Sequence, residues 1–157
     1  MNELPIEGAL AESAREVLEK MFFLDLEDLG AAAQRPCGVT AEVTFEGDPP
    51  GVFRLDLDLV AARAAAADFL GQDPEELSPE QTHEVVCELA NMICGAVLSR
   101  VESSAVFRLS TPRIAPAEED LPAPAQASFL ATVGDGLLRA EIRMEKPVCP
   151  GIDEPAS

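Results

Sequence analysis

Val39, Ala41, Val43 and Phe45 alternate with Thr40, Glu42 and Thr44, and shortly afterwards Phe53, Leu55, Leu57 and Leu59 alternate with Arg54, Asp56 and Asp58. A period of two sets the apolar residues on one face of a strand, and the turn from Gly47 to Gly51 between the two runs predicts a hairpin. The pattern returns late in the chain, where residues 127–133 and 137–144 flank Gly134-Asp135-Gly136, a second hairpin signal. Hairpins impose antiparallel pairing. A sheet with one apolar face must bury that face against another layer, so the chain has to supply helices to cover it.

Three segments can do so. Residues 9–24 place Leu10, Ala14, Val17, Leu18, Met21 and Phe22 at spacings of three and four, an amphipathic helix. The Ala-rich segment 60–70 stops at Gly71, a residue suited to the position just beyond a helix. Ser78-Pro79-Glu80-Gln81 combines a capping hydroxyl, a proline at the first helical position and a glutamine three residues after the cap, and opens the longest helix, to about Val101. Ala105, Phe107 and Leu109 then alternate as a strand up to Pro112, and Pro116, Pro122 and Pro124 mark an acidic loop. The expected order is α-β-β-α-α-β-β-β: an α+β, two-layer fold whose mainly antiparallel sheet is covered by helices. At 157 residues this is one domain, drawn here as 1–146, with a tail from 147–157 expected to be disordered.

Charge excludes several classes of function. Eleven Lys and Arg against 29 Asp and Glu give a net charge of −18, which phosphate backbones and anionic lipid surfaces repel. Neither nucleic acid nor membrane is an expected partner. The first 16 residues carry acids where a secretory signal needs a basic start, and no apolar run approaches the ~20 residues of a membrane span. A cytoplasmic protein is expected. Of the four cysteines, Cys87 and Cys94 are seven apart on the long helix, roughly 10 Å and beyond disulfide reach, so reduced thiols fit best. His83 and Cys87 stand four apart, but Cys94 is too far along the helix to share an ion with them, and no metal site is expected.

On the long helix, Val85, Val86, Leu89, Met92, Ile93, Ala96 and Val97 cover an arc of roughly 140°, the expected core face. Glu84, Glu88, Asn91 and Gly95 fall opposite, within roughly 60°. From periodicity alone this stripe reads first as ordinary solvated residues. Gly95 stands out, because mid-helix glycine costs about 1 kcal/mol relative to alanine in a chain rich in alanine; close approach of another body, or simply of a second helix, would explain it.

The segment Glu88-Leu89-Ala90-Asn91-Met92-Ile93-Cys94-Gly95, on a helix leading into a strand that ends at Thr111-Pro112, resembles the signature of the CheC/CheX/FliY family of chemotaxis phosphatases, and most of all its CheX branch. The likeness extends over roughly residues 9–144 in element order, including a first helix with Val17-Leu18-Glu19-Lys20-Met21. It implies a phosphatase acting on the aspartyl phosphate of a CheY-like receiver domain, with Asn91 as the catalytic amide and Glu88 as the partner-binding acid. Glu84 and Gly95 are then expected at the partner contact. Glu84 departs from the Asp or Ser that many members carry there. Arg15 stands where a second copy of the motif would need Asn, so one active site per chain is expected. The resemblance also implies a homodimer, no cofactor on this chain, and Mg²⁺ carried by the receiver. Two other readings stay open: a non-catalytic receiver-binding adaptor or flagellar-switch module, and an oligomerisation domain, disfavoured because Glu84 and Glu88 of two chains would repel.

Overall fold

A computed structural model describes residues 6–22, 24–30, 36, 38–47, 50–101, 107–115 and 127–144. In chain order these form α1 (Ile6–Met21), β1 (Leu26–Gly30), β2 (Gly38–Glu46), β3 (Gly51–Asp58), α2 (Leu59–Leu70), a 3₁₀ turn at Pro74–Glu76, α3 (Pro79–Val101), β4 (Arg108–Leu109), β5 (Arg113–Ile114), β6 (Ala127–Val133) and β7 (Gly136–Met144). The strands make one antiparallel sheet in the order β1-β6-β7-β3-β2-β4, with β5 also on β2. Both expected hairpins are present: Val43 faces Phe53 across β2 and β3, and Thr132 faces Leu137 across β6 and β7.

The period of two decides which face the helices cover. Val39, Ala41, Val43, Phe53, Leu55, Leu57, Leu138, Ala140 and Ile142 are buried in one core together with Leu10, Leu18, Val86, Leu89 and Ile93 of α1 and α3. The opposite face is polar, and it is tied rather than solvated. Arg54 donates to Glu42 at 2.9 Å, Thr40 donates to Asp56 at 2.6 Å, and Arg139 lies 2.9 Å from Glu141.

Caps hold the covering helices where the pattern predicted. Ser78 Oγ accepts from the Gln81 amide at 3.0 Å while the Ser78 amide donates to Gln81 Oε1 at 2.9 Å, closing both ends of the capping box on α3. Asp58 caps α2 by accepting from the Ala61 amide at 2.9 Å, and its other oxygen accepts from the Leu137 amide at 3.1 Å, joining α2 to the start of β7. Gly71 closes α2 in the left-handed conformation at φ 67°, which glycine adopts without steric cost. At the far end of α3, Arg100 donates to Ser13 Oγ at 3.1 Å and to Glu16, clamping α3 to α1.

Several boundaries differ from the expectation. The first helix runs a turn earlier, Leu59 opens α2 instead of ending β3, and β1 and β5 were not foreseen. β1 reads Leu-Glu-Asp-Leu-Gly, too short and too acidic to alternate visibly, and it forms because β6 offers an edge to pair with. The strand expected from Ala105 up to Pro112 is the two-residue β4; Ala105, the Pro-rich loop, Cys37, Cys149 and the tail from Pro147 lie outside the described residues. The core face of α3 is also wider than the apolar period suggested. Ala90, Cys94 and Leu98 are buried with Val85, Val86, Leu89, Ile93 and Val97, while Met92 and Ala96 are half-buried. α3 packs against the sheet and between α1 and α2, so the flank of Ala90, Cys94 and Leu98 is enclosed too.

Candidate functional site

The stripe opposite that core face is intact. Glu84 and Glu88 are exposed, Asn91 and Gly95 half-buried. Among the described residues, the side chains of Glu84, Glu88 and Asn91 form no hydrogen bond or ion pair. Two carboxylates and a primary amide therefore face outward with their full bonding capacity, which for Asn is two acceptor positions and two donor hydrogens. Glu88 and Asn91 are three residues apart, about 4.5 Å along the axis, on a helix fixed at its N-terminus by the capping box and at its C-terminus by Arg100. The spacing between them is therefore rigid.

Gly95 lies at the end of this stripe. A Cβ placed there would meet nothing within 4 Å, so packing among the described residues does not demand glycine, and the second-helix explanation has no helix of those residues to refer to. Space is left open beside Asn91.

On the other flank, an open groove of about 390 Å³ separates His83, Glu84, Cys87 and Glu88 of α3 from residues 111–114, which include β5. Sequence spacing placed Thr111-Pro112 after the motif helix but could not show that it returns alongside Glu88; the return follows from β5 pairing with β2, where Ala41 faces Ile114 and Glu42 faces Arg113. Arg113 is anchored there by donating from Nε to Glu42 at 2.9 Å. Burial would raise the Glu42 pKa, yet hydrogen bonds from Arg54 and Arg113 outweigh it and hold the carboxyl below its ordinary 4.5. Burial, and then the negative charge of Glu84, push the Cys87 thiol up, so it stays protonated and is a poor nucleophile. Among the described residues no three His, Cys, Asp or Glu side chains converge as a metal site would require, and no helix is long and apolar enough to cross a membrane.

α1 carries no matching constellation. Arg15 donates to the Leu26 carbonyl at 3.3 Å and lies 4.0 Å from Glu19, so it ties β1 to α1 instead of facing outward as an amide would.

The profile of the family described as "Chemotaxis phosphatase CheX" matches residues 39–130, a span that includes α3 and both sides of the groove. Among curated proteins none matches. The fold is similar to a CheX chemotaxis protein of Vibrio vulnificus, with 20% identity, a TM-score of 0.75 and coverage of 92% of this chain and 99% of that one. It is similar as well to the Borrelia burgdorferi CheX–CheY–BeF₃–Mg²⁺ complex, with 18% identity, a TM-score of 0.71 and coverage of 90% and 99%. A more distant likeness is to the FliM middle domain of Vibrio alginolyticus, at 14% identity, a TM-score of 0.59 and coverage of 91% and 93%.

Proposed function

The chain belongs to the CheX family of chemotaxis phosphatases, and on that premise we propose that it dephosphorylates a CheY-like receiver, with Asn91 orienting the attacking water and Glu88 holding the partner. The observation that carries this reading is the pair itself: an amide and a carboxylate one turn apart, outward-facing and without partners among the described residues.

The chemistry required is small. A receiver's aspartyl phosphate arrives with Mg²⁺ and a lysine of its own, which neutralise the phosphoryl oxygens, so the step still to be supplied is in-line placement of a water. Asn91 suits it: its carbonyl oxygen accepts a hydrogen bond from the water and its NH₂ donates, as the Gln of GTPases orients an attacking water. An amide is too weak a base to take the proton, so the role is orientation. Glu88 offers a carboxylate to the receiver's lysine and so sets the depth at which α3 enters. The open space at Gly95 lets the partner's backbone come close beside Asn91. Glu84, four residues before Glu88, extends the same contact. In this reading each chain has one active site and binds no cofactor itself, and two chains associate as a homodimer.

The test is phosphate release from a phosphorylated CheY receiver with and without the chain. Acceleration at substoichiometric chain supports a phosphatase. Binding without acceleration would instead favour the adaptor reading, which the likeness to a FliM domain keeps as the second choice.

A further inference from the structure

Among the described residues, the helices cover the sheet only in part where it ends at β5. Ile114 faces Ala41 across β5 and β2, and residues opposite each other in a sheet share a face, so Ile114 leaves the sheet on the core side. Ala41 on that side is wholly buried, whereas Ile114 is 37% exposed. A position with core register therefore has no lid among the described residues, and beside it lies the groove against His83, Glu84, Cys87 and Glu88.

We propose that this groove is a specificity pocket of the receiver interface, occupied by an aliphatic side chain that the receiver carries beside the lysine met by Glu88. The inference rests on the function proposed above and adds where the receiver's apolar contact falls. Glu84 and Glu88 belong both to the outward stripe and to the groove rim, so a body seated on Glu88 and Asn91 also closes the groove mouth. The floor suits an apolar group, since Pro112 and Ile114 line it with the half-buried, protonated Cys87. The rim suits a cation next to that group, because Glu84 and Glu88 carry charge that no side chain of the described residues neutralises. The guanidinium of Arg113 is engaged by Glu42, on the opposite face of the sheet. An occupant with an acidic flank would be repelled, while an aliphatic side chain beside a lysine satisfies floor and rim together.

The experiment measures the affinity of a CheY receiver, held as its beryllofluoride–Mg²⁺ form, for the wild-type chain and for Ile114→Asp, Ile114→Thr and Ile114→Leu. Melting temperatures of the free variants establish that each is folded. The expected result is a rise in Kd of roughly tenfold or more for Ile114→Asp, a smaller rise for Ile114→Thr and near-wild-type binding for Ile114→Leu. Wild-type affinity in folded Ile114→Asp or Ile114→Thr overturns the proposal. So does a wild-type dimer that Ile114→Asp turns into a monomer, which would make the groove a self-association surface. Phosphate release by Asn91→Ala, run in parallel, separates the two levels: unimpaired release removes the parent function, whereas loss of release together with insensitivity at Ile114 removes the pocket alone.

Discussion

Glu88 has no partner in its own chain among the described residues, so its charge is available to an incoming lysine. Glu88→Lys should weaken receiver binding by roughly 2 kcal/mol or more, and reversing the receiver's lysine to an acid should recover part of the loss. A double-mutant cycle without coupling would take Glu88 out of the interface. Cys94, six residues further along on the core side, tests burial instead. Its thiol is pushed up to about 12 by desolvation, from an ordinary 9.0. The folded-state value lies above the unfolded one, so the stability this group contributes is complete below pH 9 and is lost as pH rises toward 12. Melting temperature should fall more between about pH 8 and about pH 10.5 for wild type than for Cys94→Ala; equal slopes would mean that the thiol is solvated.

α3 owes its placement to its ends. Removing the Ser78 hydroxyl in Ser78→Ala should cost about 1 kcal/mol in thermal or denaturant unfolding, since one side of the capping box would be lost. β5 depends on Glu42, which receives Arg54 and Arg113 together. Glu42→Gln should destabilise by about 3 kcal/mol, because Arg54, 1% exposed, would keep its charge with a weaker partner. With Glu42 held below 4.5, its contribution is present above that pH and is lost as pH falls below it. Much of this was legible in the sequence: alternation gave the hairpins and the buried face, the capping box gave the start of α3, and the 100° period put Glu84, Glu88, Asn91 and Gly95 in one stripe. What could not be read depends on tertiary pairing. β1 and β5 are too short to show a period, and the burial of Ala90, Cys94 and Leu98 requires both neighbouring helices. The groove joins Glu88 to residues more than twenty positions away through the pairing of β5 with β2.

At the scale of the whole molecule, the fold does not specify the activity. The FliM middle domain shares the architecture, so function has to be argued from the side chains on α3. The proposed function assigns Mg²⁺ to the receiver. Two carboxylates one turn apart on a convex helix give Mg²⁺ too few ligands to displace its waters, so a chelator should stop receiver dephosphorylation while leaving the melting temperature of this chain alone unchanged. A melting temperature that falls with chelator would place a metal in this chain, with His83 and Cys87 the first residues to test. The most direct measurement is the rate of phosphate loss from a phosphorylated CheY receiver at saturating wild-type chain and at saturating Asn91→Ala. The variant is expected to fold, to bind the receiver and to be slower by roughly 10² or more; hydrolysis at the wild-type rate would take Asn91 out of the catalytic step.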